Sequence, residues 1–251
     1  MNIERLIELS LQEDIRTGDI TTDSLGMEIS KSHAVMIAKE NGVLAGLDVA
    51  IRVFQMLDDK INCVAYKKDG DTLKKGDEIM KISGNTKAIL KAERVALNFL
   101  QRMSGVATAT RAMVDIISPF GVKLLDTRKT TPLHRELEKY SVKVGGGYNH
   151  RFGLYDMIMI KDNHIEAVGS ISRTVTLVKD RNVNYKIEVE VKNMKELKEA
   201  VACKIDRVLL DNMTPAEIKK CVQKYGDQVE MEVSGGVNLS NIAEYAKTGV
   251  H

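Results

Sequence analysis

Between residues 126 and 164 the chain reads DTRKTT, then GGGYNHR, then MIMIKDNH, setting cations after short apolar runs or in a glycine-rich turn. Arg128, Lys129, Arg151 and Lys161 are charged at neutral pH, and His150 can become so. Like charges gathered this way repel one another unless an anion joins them. Further along stand two carboxylates, Glu190 in YKIEVEV and Asp211 after RVLL, and the turn Ser234-Gly235-Gly236 after VEMEV. Arginine binds planar carboxylates bidentately, lysine offers a mobile charge suited to phosphate, and paired carboxylates suit Mg²⁺ or ribose hydroxyls. The ligand expected of this set is a polyanion with a sugar and a metal.

Each group has a plainer reading beside the chemical one. An Arg-Lys pair in a loop is ordinarily solvated surface. Glu190 alternates with Ile187, Val189 and Val191, as on a strand with one wet face, and Glu188 is its rival for the inward position. Asp211 suits a turn cap before Met213, and the SGG turn serves close helix packing as well as phosphate, which needs the N-terminus of the following NLSNIAEYAKTG helix. His134, amid Arg135, Glu136 and Glu138, reads as a surface residue on a helix. Polar groups at five successive strand ends favour a site.

The elements that must position these groups follow from hydrophobic period. After Pro119 and Gly121 short apolar strands alternate with helical segments, the signature of parallel βα units. The strands read are VKLLD, DMIMI, YKIEVEV, RVLL and VEMEV, whose carboxyl ends face one side. Thr127, Arg128 and Lys129 follow the first, Lys161 the second, and His150 and Arg151 enter the same mouth from the segment before DMIMI. Thr214-Pro215-Ala216-Glu217 predicts a capped helix start, Asn193 with Glu196 a weaker one, and Gly226 and Gly249 helix stops.

The part before residue 105 reads differently. KSHAVMIAKENGVLAGLDVA and INCVAYKKDGDTLKKGDEIMKISG look like short β segments with Asn-Gly and Asp-Gly turns, and Ile3 to Gln12 has helical period. The DGDTLKKGDEIMKISG stretch is read as a structural hairpin. KAILKAERVALNFLQRM predicts a buried helix leading into a second one, Val106 to Ile117.

Composition bounds the rest. With 251 residues, 43% hydrophobic, the chain can bury a good core, and a net charge of +2 argues against nucleic-acid binding through a basic surface. No apolar run approaches the roughly 20 residues of a membrane span. Cys63, Cys203 and Cys221 lack CxxC or Cys/His ligand spacing, so a reducing, cytoplasmic setting is expected.

DTRKTTP, GGGYNHRFGLYDMIMIKDNH, IEVEV, VLLDNM and VSGGVNLSNIAEYAKTGV, with LQEDIRTGDITT and ERVALNFLQRMSGVAT, resemble the quinolinate phosphoribosyltransferase family over nearly the whole chain, in order. The resemblance implies an α/β fold, with an N-terminal α/β sandwich domain over 1–105 and, over 106–251, a C-terminal α/β barrel of fewer than eight regular strands. It implies a decarboxylating transfer from 5-phosphoribosyl-1-pyrophosphate to quinolinate, with Mg²⁺, in a homodimer or multiple of one. By motif position Arg128 and Arg151, with His150 nearby, grip the quinolinate carboxylates, and Lys129 and Lys161 lie between quinolinate and pyrophosphate. Glu190 and Asp211 hold ribose hydroxyls and metal, Ser234, Gly235 and Gly236 meet the 5-phosphate, and Thr127 lies within the substrate-binding motif. Arg102, in LQRMSG, matches the arginine that the family contributes across its dimer interface. The family's chains continue past Thr248-Gly249-Val250 into another strand and a phosphate loop, so the barrel is expected to be cut short at His251. Nicotinate phosphoribosyltransferase, acting on a monocarboxylate, needs fewer cations. A non-catalytic sugar-phosphate binding module needs no paired Glu190 and Asp211.

Overall fold

The structure, a computed structural model, describes residues 3–26, 30–181 and 184–251. In chain order its elements are α1 (Ile3–Ile15), α2 (Ile20–Ser24), β1 (Lys31–Ile37), β2 (Gly42–Val43), α3 (Leu47–Leu57), β3 (Asn62–Ala65), β4 (Thr72–Leu73), β5 (Glu78–Asn85) and α4 (Thr86–Ile117). After a 3-10 turn, Ser118–Phe120, come α5 (Arg135–Val144), β6 (Ile158–Ile160), α6 (Asp162–Val168), α7 (Ile171–Lys179), β7 (Ile187–Val191), α8 (Met194–Ala202), β8 (Arg207–Asp211), α9 (Pro215–Tyr225), β9 (Glu230–Ser234) and α10 (Ile242–Ala246). They form two compact units: Met1–Arg111 with Lys129–Tyr148, and Ala112–Arg128 with Asn149–His251.

In the first unit β1, β5 and β3 form an antiparallel sheet with β5 in the centre, and β2 pairs with β4. Its core gathers Ile7 of α1, Val53 and Phe54 of α3, Met80 of β5, and Phe99 and Met103 of α4. The LDVA end of the stretch expected as β is instead the start of α3. Leu47, Ala50, Val53 and Phe54 are buried at helical spacing, and the Asp69 carboxylate accepts from Gly46 N and Leu47 N at 2.8 and 3.0 Å, capping the helix from a distant loop.

The two helices expected on either side of residue 105 are one helix of 32 residues. A lone glycine costs about 1 kcal/mol relative to alanine. That is too little to end a helix whose buried stripe runs from Ile89 through Val95, Phe99 and Met103 to Ala107. His134 is no surface helix residue. It precedes α5, is half-buried, and stacks on Phe99 with ring centroids 6.0 Å apart.

In the second unit β6, β7, β8 and β9 lie parallel in that order, four strands among the described residues, fewer than eight as expected. Residues 122–126, expected as a further strand, form an isolated bridge at Leu125 only. Val122 and Leu124 instead pack with Ile117, Ile242 and Ala246, so this short run is half-buried without joining the ladder. Helix starts follow the sequence reading. Thr214 and Glu217 form a reciprocal capping box with Pro215 in the first turn, and Asn193 accepts from Lys195 N and Glu196 N. Gly226 follows α9, in a right-handed conformation, and Gly249 lies three residues beyond α10 with φ +86°.

The parallel sheet has one apolar and one polar face. Alternate strand residues share a side. Ile158, Ile160, Ile187, Val189, Val191, Val208, Leu210 and Met231 join a core with α7, α8 and α9. The intervening positions carry charge: the register sets Glu188 beside Arg207 and Glu230, then Glu190 beside Leu209 and Glu232, then Asp211 beside Ser234.

Candidate active site

This polar face builds the site. Lys161, just past β6, gives its Nζ to Glu190 Oε2 at 2.7 Å, the lysine side chain 44% exposed and the carboxylate 10%. The lysine tip is therefore tethered at the edge of solvent, free to exchange one anion for another. Lys192, one residue beyond β7, bonds Asp162 Oδ2 at 2.9 Å. Asp162 first, and the charges of Glu190 and Asp211 after it, hold the Lys192 ammonium above the usual lysine range.

Asp211 ends β8 half-buried. Asn212 supports it through Nδ2 to Asp211 Oδ2 at 2.8 Å, and Asn212 N reaches Ser234 O at 2.9 Å. Asn212 adopts φ +53° to make both bonds. Opposite it Gly235 has φ +96°, and a Cβ there would lie 2.2 Å from Asn212 Oδ1. The turn is closed on its other side by Asn241 Nδ2, which donates to Gly236 O at 2.9 Å. Glycine at 235 is thus a steric requirement of the Asp211 support.

His150 sits lower on the same face. Its Nε2 lies 2.9 Å from Glu188 Oε2 and 3.4 Å from Glu232 Oε2, with the imidazole 7% and Glu188 0% exposed. Glu188 Oε1 is buried with no hydrogen-bond partner among the described residues, and Arg207 bridges Glu232 at 3.4 Å and Glu230 at 3.1 Å. Burial pulls the His150 pKa down, but the two carboxylates overcome it and push it up to about 9. The Arg151 N–H, 2.8 Å from Nδ1, favours a neutral ring instead. The carboxylates thus favour the charged ring, whereas the Arg151 N–H favours the neutral one with its proton on Nε2, the form in which Nδ1 can accept.

Arg151 lies beside it, with Nη1 3.3 Å from Met157 O and Nη2 3.4 Å from Met159 Sδ. Burial and then the like charge of Arg128 lower its pKa, so the two guanidiniums feel each other. Asp126 binds the Arg151 segment to the Arg128 segment, accepting from Asn149 Nδ2 at 2.5 Å and His150 N at 2.9 Å. Thr127 is exposed between them.

Arg102 and Lys129 belong to the first unit. Lys129 is exposed. Arg102 reaches Glu138 Oε1 at 2.6 Å and Thr131 Oγ1 at 3.0 Å. Burial pushes the Glu138 carboxyl up, and the bonds from Arg102 and Thr131 more than offset it, holding it below the usual range.

Comparison with known proteins decides the family. Residues 106–251 match the family described as quinolinate phosphoribosyl transferase, C-terminal domain, and residues 19–104 its N-terminal domain. The chain is 41% identical over 252 residues to a probable nicotinate-nucleotide pyrophosphorylase [carboxylating] of Bacillus subtilis (strain 168), covering 100% of this chain and 87% of that one. It superposes with a TM-score of 0.95 and 43% identity on the nicotinate-nucleotide pyrophosphorylase from Francisella tularensis, covering 99% and 88% of the two chains. It does so with 0.94 and 39% on NadC from Streptococcus pyogenes, covering 97% and 86%. The chain belongs to the quinolinate phosphoribosyltransferase family.

For a quinolinate phosphoribosyltransferase the second unit brings Arg128, His150, Arg151, Lys161, Glu190, Asp211 and Ser234–Gly236 onto one compact framework. Reading strand ends missed the lower row: Asp126, Glu188 as the partner of His150, Arg207, Glu232, and the support from Asn212. The period-2 alternation of IEVEV and VEMEV held the signal, since charged residues at every second position on adjacent strands must share a face.

Two acidic groupings invite a cation. The ligand atoms of His150, Glu188 and Glu232 lie within 4.8 Å of one another. A metal there needs the Nε2 lone pair, hence a proton on Nδ1 where the Arg151 N–H already points; the grouping is an ion-paired knot. Glu190 and Asp211 are hard oxygen donors on one face at the solvent edge, each with one oxygen bonded by a neighbour. That fits Mg²⁺, which keeps several waters and takes one or two carboxylates plus substrate phosphates.

Proposed function

We infer that this chain transfers the phosphoribosyl group of 5-phosphoribosyl-1-pyrophosphate to the ring nitrogen of quinolinate, releasing pyrophosphate and CO₂ and giving nicotinate mononucleotide for NAD biosynthesis. The carrying observation is family membership over both domains. The cation set fits a dicarboxylate and a pyrophosphate, as read from the sequence.

We assign Arg128 and Arg151 to the quinolinate carboxylates, with His150 beside them. They hold the pyridine so that its nitrogen lies in line with C1 of the ribose, which becomes oxocarbenium-like as the C1–O bond breaks. Lys161, tethered to Glu190 at 2.7 Å, and Lys129 meet the charge that develops on the pyrophosphate. Glu190 and Asp211 bind ribose hydroxyls and would hold Mg²⁺, which neutralises phosphate charge when bound. Ser234 to Gly236 receive the 5-phosphate, and Thr127 lines the quinolinate side. Once ribosylated, the ring nitrogen is positive and draws the electron pair of the adjacent C–C bond, so CO₂ leaves and the ring carbon takes a proton from water. Too firm a grip on that carboxylate would oppose the step.

A homodimer completed by Arg102 of each neighbour is part of this proposal, as is a cytoplasmic setting, supported by three free thiols. No helix among the described residues is long and apolar enough to cross a membrane. The test is incubation with quinolinate, 5-phosphoribosyl-1-pyrophosphate and Mg²⁺. Stoichiometric nicotinate mononucleotide and CO₂ are expected; turnover of nicotinate but not quinolinate would overturn the reading.

A further inference from the structure

Both ring nitrogens of His150 are engaged within the protein: Nε2 by Glu188 and Glu232, Nδ1 by the backbone N–H of Arg151. The ring is almost wholly buried and Glu188 wholly so. A histidine with both nitrogens taken has no bond left for a substrate carboxylate. What it does hold is the next residue. Its own backbone N–H is fixed by Asp126, which also takes the Asn149 side chain, so the segments bearing Arg128 and Arg151 are bound at one carboxylate.

The two guanidiniums these segments carry repel each other. In the absence of substrate they would drift apart unless something fixed the backbone beneath them, and long side chains alone do not hold a spacing. A carboxylate staple below Arg128 and an imidazole clamp below Arg151 supply that fixing.

We propose that Asp126, His150 and Glu188 form a positioning unit for the Arg128–Arg151 pair, with His150 acting through Arg151 and not on the substrate. The proposal rests on the reading of Arg151 as a quinolinate-binding residue. It predicts a split: loosening the unit weakens quinolinate capture while the use of 5-phosphoribosyl-1-pyrophosphate, bound by other residues, stays as it was.

The experiment measures KM for each substrate and kcat in His150→Gln, Glu188→Gln and Arg151→Ala, and in each of the first two combined with Arg151→Ala. Thermal melts confirm that each chain folds. His150→Gln and Glu188→Gln are expected to raise the quinolinate KM about tenfold with the other KM within about twofold, and to add less than about twofold once Arg151 is gone, because residues acting through one another do not add. Losses that multiply fully with the Arg151→Ala loss would overturn the proposal, since His150 would then meet substrate independently. So would an unchanged quinolinate KM in both single variants. If Arg151→Ala alone leaves quinolinate capture intact, the Arg151 assignment fails first, and it is seen to fail separately. Should Glu188→Gln not fold, Asp126→Ala, which removes the carboxylate from both His150 N and Asn149 Nδ2, replaces it with the same expected split.

Discussion

Arg128 is charged, half-buried and set next to a second guanidinium whose repulsion it feels, so the pair favours an anion that both can reach. Removing it deletes one charge-assisted interaction, about 1.5–3 kcal/mol, or roughly ten- to a hundredfold in quinolinate affinity. Calorimetric titration of Arg128→Ala checks this, and an unchanged dissociation constant would refute the role. The His150 knot makes a second prediction, on stability. With its folded pKa at about 9 and an ordinary value of 6.5, His150 stabilises the fold fully below pH 6.5, and this is lost as pH rises through about 9. The groups facing it are Glu188 of β7, Glu232 of β9, Asp126 at its backbone and the cations Arg151 and Arg207. The shift corresponds to about 3 kcal/mol at roughly 1.4 kcal/mol per pH unit. Urea titrations at pH 6.5 and 9.5 should differ by a large part of that in the native chain, and much less in Glu232→Gln. Equal slopes in both would mean that the imidazole is neutral and the Arg151 N–H bond decides its state.

At the scale of elements, the sequence read best where a local rule acts alone. The starts of α8 and α9 needed only Asn193 with Glu196, and Thr214 with Pro215 and Glu217, because capping is settled within one turn. Four of the five strands expected of the second unit are strands in the structure. VKLLD is not, since the few apolar residues Val122, Leu124 and Leu125 can pack equally well in a small side cluster, and only the tertiary neighbours Ile117, Ile242 and Ala246 decide. The division of α4 into two failed for the opposite reason: Gly105 is a weak local signal overruled by a continuous buried stripe. The positions of the strand-end residues of the candidate site were legible, while those of Glu232 and Arg207 beside them were not, because their partners lie on other strands. The turn after β9 gives an element-scale prediction. Gly235→Ala meets Asn212 Oδ1 and keeps a left-handed backbone, whereas Gly236, with φ +68°, faces open space. Gly235→Ala should cost about 1–3 kcal/mol in backbone strain and also raise the KM for 5-phosphoribosyl-1-pyrophosphate by disturbing Asp211, while Gly236→Ala has the strain alone. Melting curves with kinetics separate the two, and identical kinetics for both would rule out a role for Asn212 in holding Asp211.

The whole-molecule question is why Arg102 is held where it is. Its guanidinium is fixed by Glu138, a carboxylate with 11% side-chain exposure, yet 56% of the arginine side chain remains open to solvent. A cation pinned on one side and open on the other is ready to meet a second anion, and under the proposal of a shared site that anion would belong to a neighbouring chain. Arg102→Ala and Lys129→Ala should each be inactive alone. After co-refolding in equal amounts, random pairing makes about half of the dimers mixed, and each mixed dimer holds one site with its Lys129 and its neighbour's Arg102 both intact. Roughly a quarter of the native activity per site should therefore return. Both variants must first fold: Glu138 keeps Thr131 N and Thr131 Oγ1 at 3.1 and 2.8 Å when Arg102 is lost, so its carboxylate is not stranded. Differently tagged chains show by pull-down that mixed dimers have formed. Mixed dimers without activity would mean that Arg102 serves the site of its own chain, and the exposed side of its guanidinium would then have to be explained within one subunit.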